Sequence, residues 1–281
     1  MNDELGERMK DQYEHRTRFS LPRRTYTIIR LDGKAFHTYT KGLNKPFDDG
    51  LIADMDAAII AMLPEIQGVQ FAYTQSDEIS LVLTDFATPN TDAWFDGNIQ
   101  KMVSVSASII TAEFNKLRMI GWMKGQRYQM RDESGHLSDS RVMASADLPI
   151  AFFDARVFTI PDRTEVMNYL IWRNQDCARN SVSMVAQSLF SHKELQGKST
   201  VQMQEMMFQK HNVNWAEYDQ AKKNGRLIVK ESYRVDNLCG EVNLSDGKPS
   251  EPIMRTRWVS KPAWKFTEDK DKLMAMIPKY E

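Results

Sequence analysis

Apolar positions change their period several times along the chain, and each change marks an element. Thr25-Tyr26-Thr27-Ile28-Ile29-Arg30-Leu31 is a β-branched run that stops at Asp32-Gly33-Lys34, a strand ending in an acid. Asp49 to Leu63 then sets Leu51, Ile52, Met55, Ile59, Ile60 and Leu63 at helical spacing. Phe71 to Leu83 reads as a hairpin, two apolar runs flanking the polar turn Gln75-Ser76-Asp77-Glu78. From Asp92 to Arg118, residues Phe95, Ile99, Met102, Val103, Ile110, Phe114 and Leu117 form one stripe of a long helix that packs on the sheet. Strand character returns at Phe152 to Phe158 and ends at Pro161. Strand, helix, strand, strand, helix, strand is the βαββαβ order of a ferredoxin-like α+β fold, the order of polymerase palms.

The flanks read differently. Met1 to Ser20 is highly charged and helical in pattern, broken by Leu21-Pro22-Arg23-Arg24. Lys124 to Ala146 is polar without a sustained period and reads as an insertion or mobile loop. Beyond Pro161 the chain turns mostly helical: Asp162 caps a helix from Thr164 to Asn174, a second runs on through Phe190, and Val201 to His211 and Trp215 to Lys223 follow. Gly225 to Val229 is a small strand, and Asp236 to Lys261 reads as a loop-rich tail in which Arg255, Arg257 and Lys261 suit a phosphate backbone. The expected division is a palm-type region over 1–160, with the insertion near 124–146, and a mostly helical region over 161–281.

This topology gives two acids a common address. Acids in a turn usually serve only as solvated turn residues. In a split βαβ arrangement, however, the first and third strands are antiparallel neighbours, so Asp32 at the end of one faces Asp77 at the start of the other. Strands lie roughly 4.8 Å apart, which lets two carboxylates share a pair of divalent ions about 3.5–4 Å apart. Glu78 stands beside them. The loop after Asp32, Gly33-Lys34-Ala35-Phe36-His37, offers backbone amides and a lysine to phosphate oxygens, and Lys41 and Lys45 follow it. Such a set fits two-metal phosphoryl or nucleotidyl transfer, with magnesium taking one or two carboxylates and leaving its other positions to water and phosphate.

Composition narrows the picture without changing it. The chain has 281 residues, 42% of them hydrophobic and 27% charged, ordinary for a soluble globular protein of one or two domains. A formal net charge of −1 excludes an unfocused polybasic nucleic-acid binder, so any nucleic-acid site is a local patch. Cys177 and Cys239 lack paired spacing, which excludes a cysteine-based zinc site and fits a reducing cytoplasm. No apolar run reaches the roughly 20 residues of a membrane span, and the N-terminus has no basic segment leading an apolar one. The 17 methionines are scattered through helical patterns as core fillers.

Several ordered motifs together, Leu31 to His37, Lys45-Pro46, Gln75-Ser76-Asp77-Glu78 and Trp172-Arg173-Asn174-Gln175-Asp176-Cys177, resemble the Thg1 family of histidine-tRNA guanylyltransferases and Thg1-like proteins over roughly Leu21 to Phe190. The resemblance implies a palm that adds nucleotides to the 5′ end of tRNA in the 3′–5′ direction, with two magnesium ions and GTP, ATP or other nucleoside triphosphates as substrates. It implies Asp32 and Asp77 as side-chain metal ligands, the Gly33 carbonyl as a backbone ligand and Glu78 as an essential acid. Asp32, Gly33, Lys34, Ala35, Phe36 and His37, with Ser76 and Asp77, hold the nucleotide, and Lys45 neutralises phosphate. Arg179, Asn180 and Lys198 are the implied tRNA contacts, the 161–281 region completes the tRNA site, and the implied assembly is a homotetramer.

One departure bears on the reaction. Where the guanylyltransferases carry His-Ile-Asn-Asn-Leu-Tyr-Asn after the Asp-Cys pair, this chain reads Ala178-Arg179-Asn180-Ser181-Val182-Ser183-Met184. The sequence is thus closer to the bacterial Thg1-like proteins, and the expected reaction is template-dependent repair of 5′-truncated tRNA. Addition of a single 5′ guanosine to histidine tRNA, a palm-type nucleotidyl cyclase and a non-catalytic RNA-binding palm are the alternatives.

Overall fold

A computed structural model describes residues 3–123, 149–235 and 253–280. The expected insertion at 124–146 and the tail from Asp236 to residue 252 lie outside the described residues.

The N-terminal helix α1 (Glu4–Met9) continues as distorted helical turns to Thr17. Strand β1 (Tyr26–Gly33) is followed by the single turn α2 (Phe36–Tyr39) and by α3 (Asp49–Met62), whose N-cap Asp48 accepts a 2.7 Å hydrogen bond from the Leu51 amide. The hairpin β2 (Val69–Gln75) and β3 (Glu78–Thr84), the long α4 (Ile99–Met123) and β4 (Phe153–Ile160) complete βαββαβ. The long helix begins at Ile99 rather than Asp92, because Phe95, Asp96 and Gly97 take left-handed conformations and the Asn98 side chain caps the first turn through the Lys101 amide.

Next comes α5 (Arg163–Leu189), one continuous helix where two are expected from sequence. No proline or glycine falls within it, so nothing breaks the backbone ladder. Helices α6 (His192–Leu195), α7 (Thr200–His211) and α8 (Gln220–Asn224) pack on its C-terminal half, and strands β5 (Arg226–Val235) and β6 (Ile253–Pro262) and helix α9 (Lys270–Met276) end the described chain.

The strands form one antiparallel sheet in the order β4-β1-β3-β2-β5-β6, a ferredoxin-like 4-1-3-2 core with two strands added beyond β2. Period-2 burial divides the sheet's side chains between two faces. Ile29, Leu31, Ile79 and Leu81 pack under α3 and α4, while Ile28, Tyr73, Val82 and Leu227 pack under α5 and α9. A third cluster, Val182, Val185, Phe190 and Met207, joins α5 to α6 and α7.

Sequence reading misjudged the tail, for β6 occupies Ile253–Pro262, and β5 runs on to Val235. Only Ala72 to Thr74 pair with β5, so its outer half leaves the sheet with β6 as a two-stranded ribbon. Along that outer half Val229, Glu231, Tyr233 and Val235 are partly covered while Lys230, Ser232 and Arg234 are exposed, an alternation whose covered face includes a glutamate and so reads weakly from sequence. Among the described residues, no helix is long and apolar enough to cross a membrane.

Candidate active site

The β1–β3 register sets Leu31 opposite Ile79, so the C-terminal end of β1 lies against the β2–β3 turn. That turn is tight: Gln75 pairs with Glu78, and Ser76 takes φ 48°, a left-handed conformation that projects Asp77 from the sheet end. Asp32 and Asp77 thus meet as the split βαβ topology requires. Burial holds the Asp77 carboxyl up to about 6, opposed by the Ser76 hydroxyl and its own amide and reinforced by the charges of Asp32 and Glu78. Asp32 is raised as well, by burial and by Asp154, its register partner on β4, against the pull of Arg156, Arg30 and Arg173.

Gly33 forms the floor. A Cβ on this residue would lie 2.9 Å from Asp77 Oδ2 and would run into the Phe36 ring, so only glycine leaves the carboxylate its place. After it the chain turns through Ala35 at φ 50°, and the Lys34 amide donates to the Phe152 carbonyl at 2.8 Å. Phe36 is buried, packing on Tyr39, Phe114 and Phe153 with ring centroids 4.9–5.8 Å apart. It anchors the loop while Lys34, Ala35 and His37 remain exposed around it. Lys45 is exposed too, next to the cis Lys45-Pro46 bond.

Glu78 is held differently from the two aspartates. Arg173 of α5 grips both its oxygens, Nε to Oε1 and Nη2 to Oε2 at 2.6 Å each, and reaches Asp176 Oδ2 at 2.9 Å. The guanidinium carbon lies 4.4 Å from the centroid of the exposed Trp172 ring. Asp176 in turn gathers Arg179 at 3.0 Å and Asn180 at 3.3 Å. One charged network therefore runs from the turn along α5 and includes two of the three expected tRNA contacts. The third, Lys198, is exposed on the α6–α7 connection and does not join that network. Of the tail cations, Arg257 and Lys261 stand on β6 facing Glu231 at 3.6 and 3.0 Å.

The side chains brought to this end of the sheet offer oxygen donors, the Asp32 and Asp77 carboxylates. Two raised carboxyls sharing a glycine floor suit a hard divalent cation, which would discharge their mutual repulsion. Burial pushes the Cys177 thiol up to about 11, which keeps it protonated near neutral pH. Sequence reasoning assigned no role to Arg173, Asp176, Asp154 or Arg156. Arg173 carried a signal, since it falls on the stripe Val166, Leu170, Cys177 that α5 buries. Asp154 and Arg156 alternate with Phe153, Ala155 and Val157, but only the β1–β4 register brings them to Asp32 and Arg30.

Residues 6–161 match the family model described as Thg1, tRNAHis guanylyltransferase. Among solved structures, a bacterial tRNA(His) guanylyltransferase (Thg1)-like protein in complex with ATP aligns with TM-score 0.77 and 34% identity, covering 98% of this chain and 99% of that one. A GTP complex of a bacterial Thg1-like protein aligns with TM-score 0.69 and 31% identity over 97% and 99%. The tRNA(His) guanylyltransferase of Schizosaccharomyces pombe is 26% identical over 232 residues, 78% of each chain.

Proposed function

Because this chain belongs to the Thg1 family of tRNAHis guanylyltransferase-like nucleotidyltransferases, we propose that it adds nucleotides to the 5′ end of tRNA in the 3′–5′ direction, selecting each by pairing with the opposite strand of the acceptor stem. The observation that carries this reading is the convergence of Asp32 and Asp77 over Gly33 at the end of a palm sheet. The ATP and GTP complexes of the bacterial neighbours support nucleoside triphosphates as substrates.

In this reading the Asp32 and Asp77 carboxylates and the Gly33 carbonyl would hold two magnesium ions, which would supply neutralisation of triphosphate charge and a more acidic attacking hydroxyl. The amides of Gly33 to His37 and the Lys34 and Lys45 ammonium groups bind phosphate oxygens, with Phe36 fixing the loop from beneath. The 3′ hydroxyl of the incoming nucleotide attacks the α-phosphorus of a 5′-triphosphate end; a P–O bond forms there, the bond to the departing pyrophosphate breaks, and the hydroxyl proton passes to solvent. Glu78, locked by Arg173, fixes the turn against α5 so that Asp77 stays aimed at Asp32. Arg179, Asn180 and Lys198 contact tRNA. Ala178 stands where the guanylyltransferase motif has histidine, and this favours template-directed repair over obligatory guanylylation of histidine tRNA.

Incubating the protein with 5′-truncated tRNA, magnesium and each nucleoside triphosphate tests the reading. Extension of the RNA by one nucleotide is expected. Cyclic product from nucleotide alone, with no extension of RNA, would instead establish a cyclase.

A further inference from the structure

Helices α3 and α4 share the apolar cluster of Met55, Ile59, Met62, Ile110 and Phe114, and one ion pair is buried between the same two helices. Asp54 of α3 and Arg118 of α4 are 2% and 5% exposed, and Arg118 Nη1 meets Asp54 Oδ2 at 3.0 Å. Packing alone does not require such a pair. Two charges give up their hydration on burial, and well-packed apolar residues of similar volume often hold a fold as firmly. What an apolar pair lacks is a directed donor. Arg118 Nε donates to the Tyr39 hydroxyl at 3.2 Å, and because the planar guanidinium is gripped at Nη1 by Asp54, the direction of that N–H is fixed.

Tyr39 ends the single turn α2, which directly follows Gly33-Lys34-Ala35. One turn of helix does not hold itself, since nucleation costs more than its first hydrogen bonds return, and this one is entered through Ala35 in the left-handed region at φ 50°. Its place is therefore set by side chains packed from outside. The Tyr39 ring centroid lies 4.9 Å from that of Phe36 and 5.7 Å from that of Phe114, but apolar packing is non-directional. The hydroxyl adds a directed tie to α4. Resting on the reading of Gly33 to His37 as the triphosphate loop, we propose that Asp54 and Arg118 are positioning residues for nucleotide binding, which act through Tyr39 to hold that loop in its binding conformation. Asp54 orients Arg118, Arg118 orients Tyr39, and the nucleotide meets only the loop. Without the tie the loop spends part of its time elsewhere, and apparent affinity falls in proportion to the competent fraction.

Equilibrium binding of ATP with magnesium to the full chain, run beside thermal unfolding, tests the assignment. Tyr39→Phe deletes the hydroxyl and keeps the ring. ATP should bind it about tenfold more weakly, the size of one hydrogen bond to a charged group, while the rise in Tm given by magnesium alone stays that of the parent, because Asp32 and Asp77 are untouched. The paired change Asp54→Leu with Arg118→Met removes both charges at once: it should unfold at the parental temperature or above and still bind ATP as weakly as Tyr39→Phe does. Parental ATP binding by Tyr39→Phe, or by a stably folded double variant, would make the pair merely structural and overturn the inference while the triphosphate reading stands. Should the double variant fail to fold, Tyr39→Phe decides alone. A parent that binds no ATP would overturn the loop reading and this inference together.

Discussion

Replacing Asp77 by asparagine removes one of two carboxyls held close together, and its effect on stability should have the opposite sign to its effect on activity. The Asp77 carboxyl sits at about 6 against an ordinary value of 3.8, chiefly because it is buried. The folded protein therefore binds this proton more tightly than the unfolded chain does. Its ionisation costs stability as pH rises from 3.8 through 6, and the full cost is present above 6. A difference of about two units corresponds to about 3 kcal/mol. Without metal, Asp77→Asn should thus be more stable than the parent by up to about 3 kcal/mol at pH 8, or roughly 6 °C in Tm. The gap should shrink through pH 6 and close near pH 4. Magnesium should raise the Tm of the parent, since it binds only the folded site, and should leave the variant unmoved and inactive. Thermal unfolding from pH 4 to 8, with and without magnesium and alongside nucleotide-addition assays, reads all of this at once. A variant no more stable than the parent at pH 8, or one that still adds nucleotides at saturating magnesium, would refute the reasoning.

Three further substitutions separate the parts of the site. Gly33→Ala should abolish addition with little loss of secondary structure, because the new methyl would run into the Phe36 ring and crowd Asp77 Oδ2 at 2.9 Å; circular dichroism with the tRNA extension assay checks this, and retained turnover would show the floor to be dispensable. Arg173→Met leaves the Glu78 carboxylate unpaired and largely buried, and should cost about 3 kcal/mol in urea unfolding; adding Glu78→Gln should restore much of it, whereas additive losses would deny the coupling. Lys45→Ala should raise KM for the triphosphate several-fold at unchanged Tm, since an exposed lysine acts as a point charge; unchanged kinetics for every triphosphate and 5′ end would return Lys45 to the ordinary surface.

The palm was legible in the sequence because its strands are half-buried and its helices amphipathic, so period 2 and period 3.6 both reach the surface of the text. Asp32 and Asp77 could be paired from topology alone, since the end of β1 and the start of β3 must adjoin once the order is βαββαβ. Groups whose partners come from distant elements were hidden. Arg173 and Glu78 are 95 residues apart, and no local pattern joins an arginine in a helix to an acid in a turn. The Arg226–Asp56 pair spans 170 residues. The β5–β6 ribbon was missed for another reason: its partly covered face includes Glu231 as well as Val229, Tyr233 and Val235, so the apolar alternation is weak.

The most direct test of template-directed 5′ addition uses a non-histidine tRNA lacking its first 5′ nucleotide, with the opposing 3′-strand base set in turn to A, C, G and U. All four triphosphates are supplied together with magnesium, and the added nucleotide is identified by sequencing the extended RNA. The account predicts addition of the Watson–Crick complement in each of the four cases. Addition of guanosine whatever the opposing base, or extension only of tRNA bearing a histidine anticodon, would contradict it.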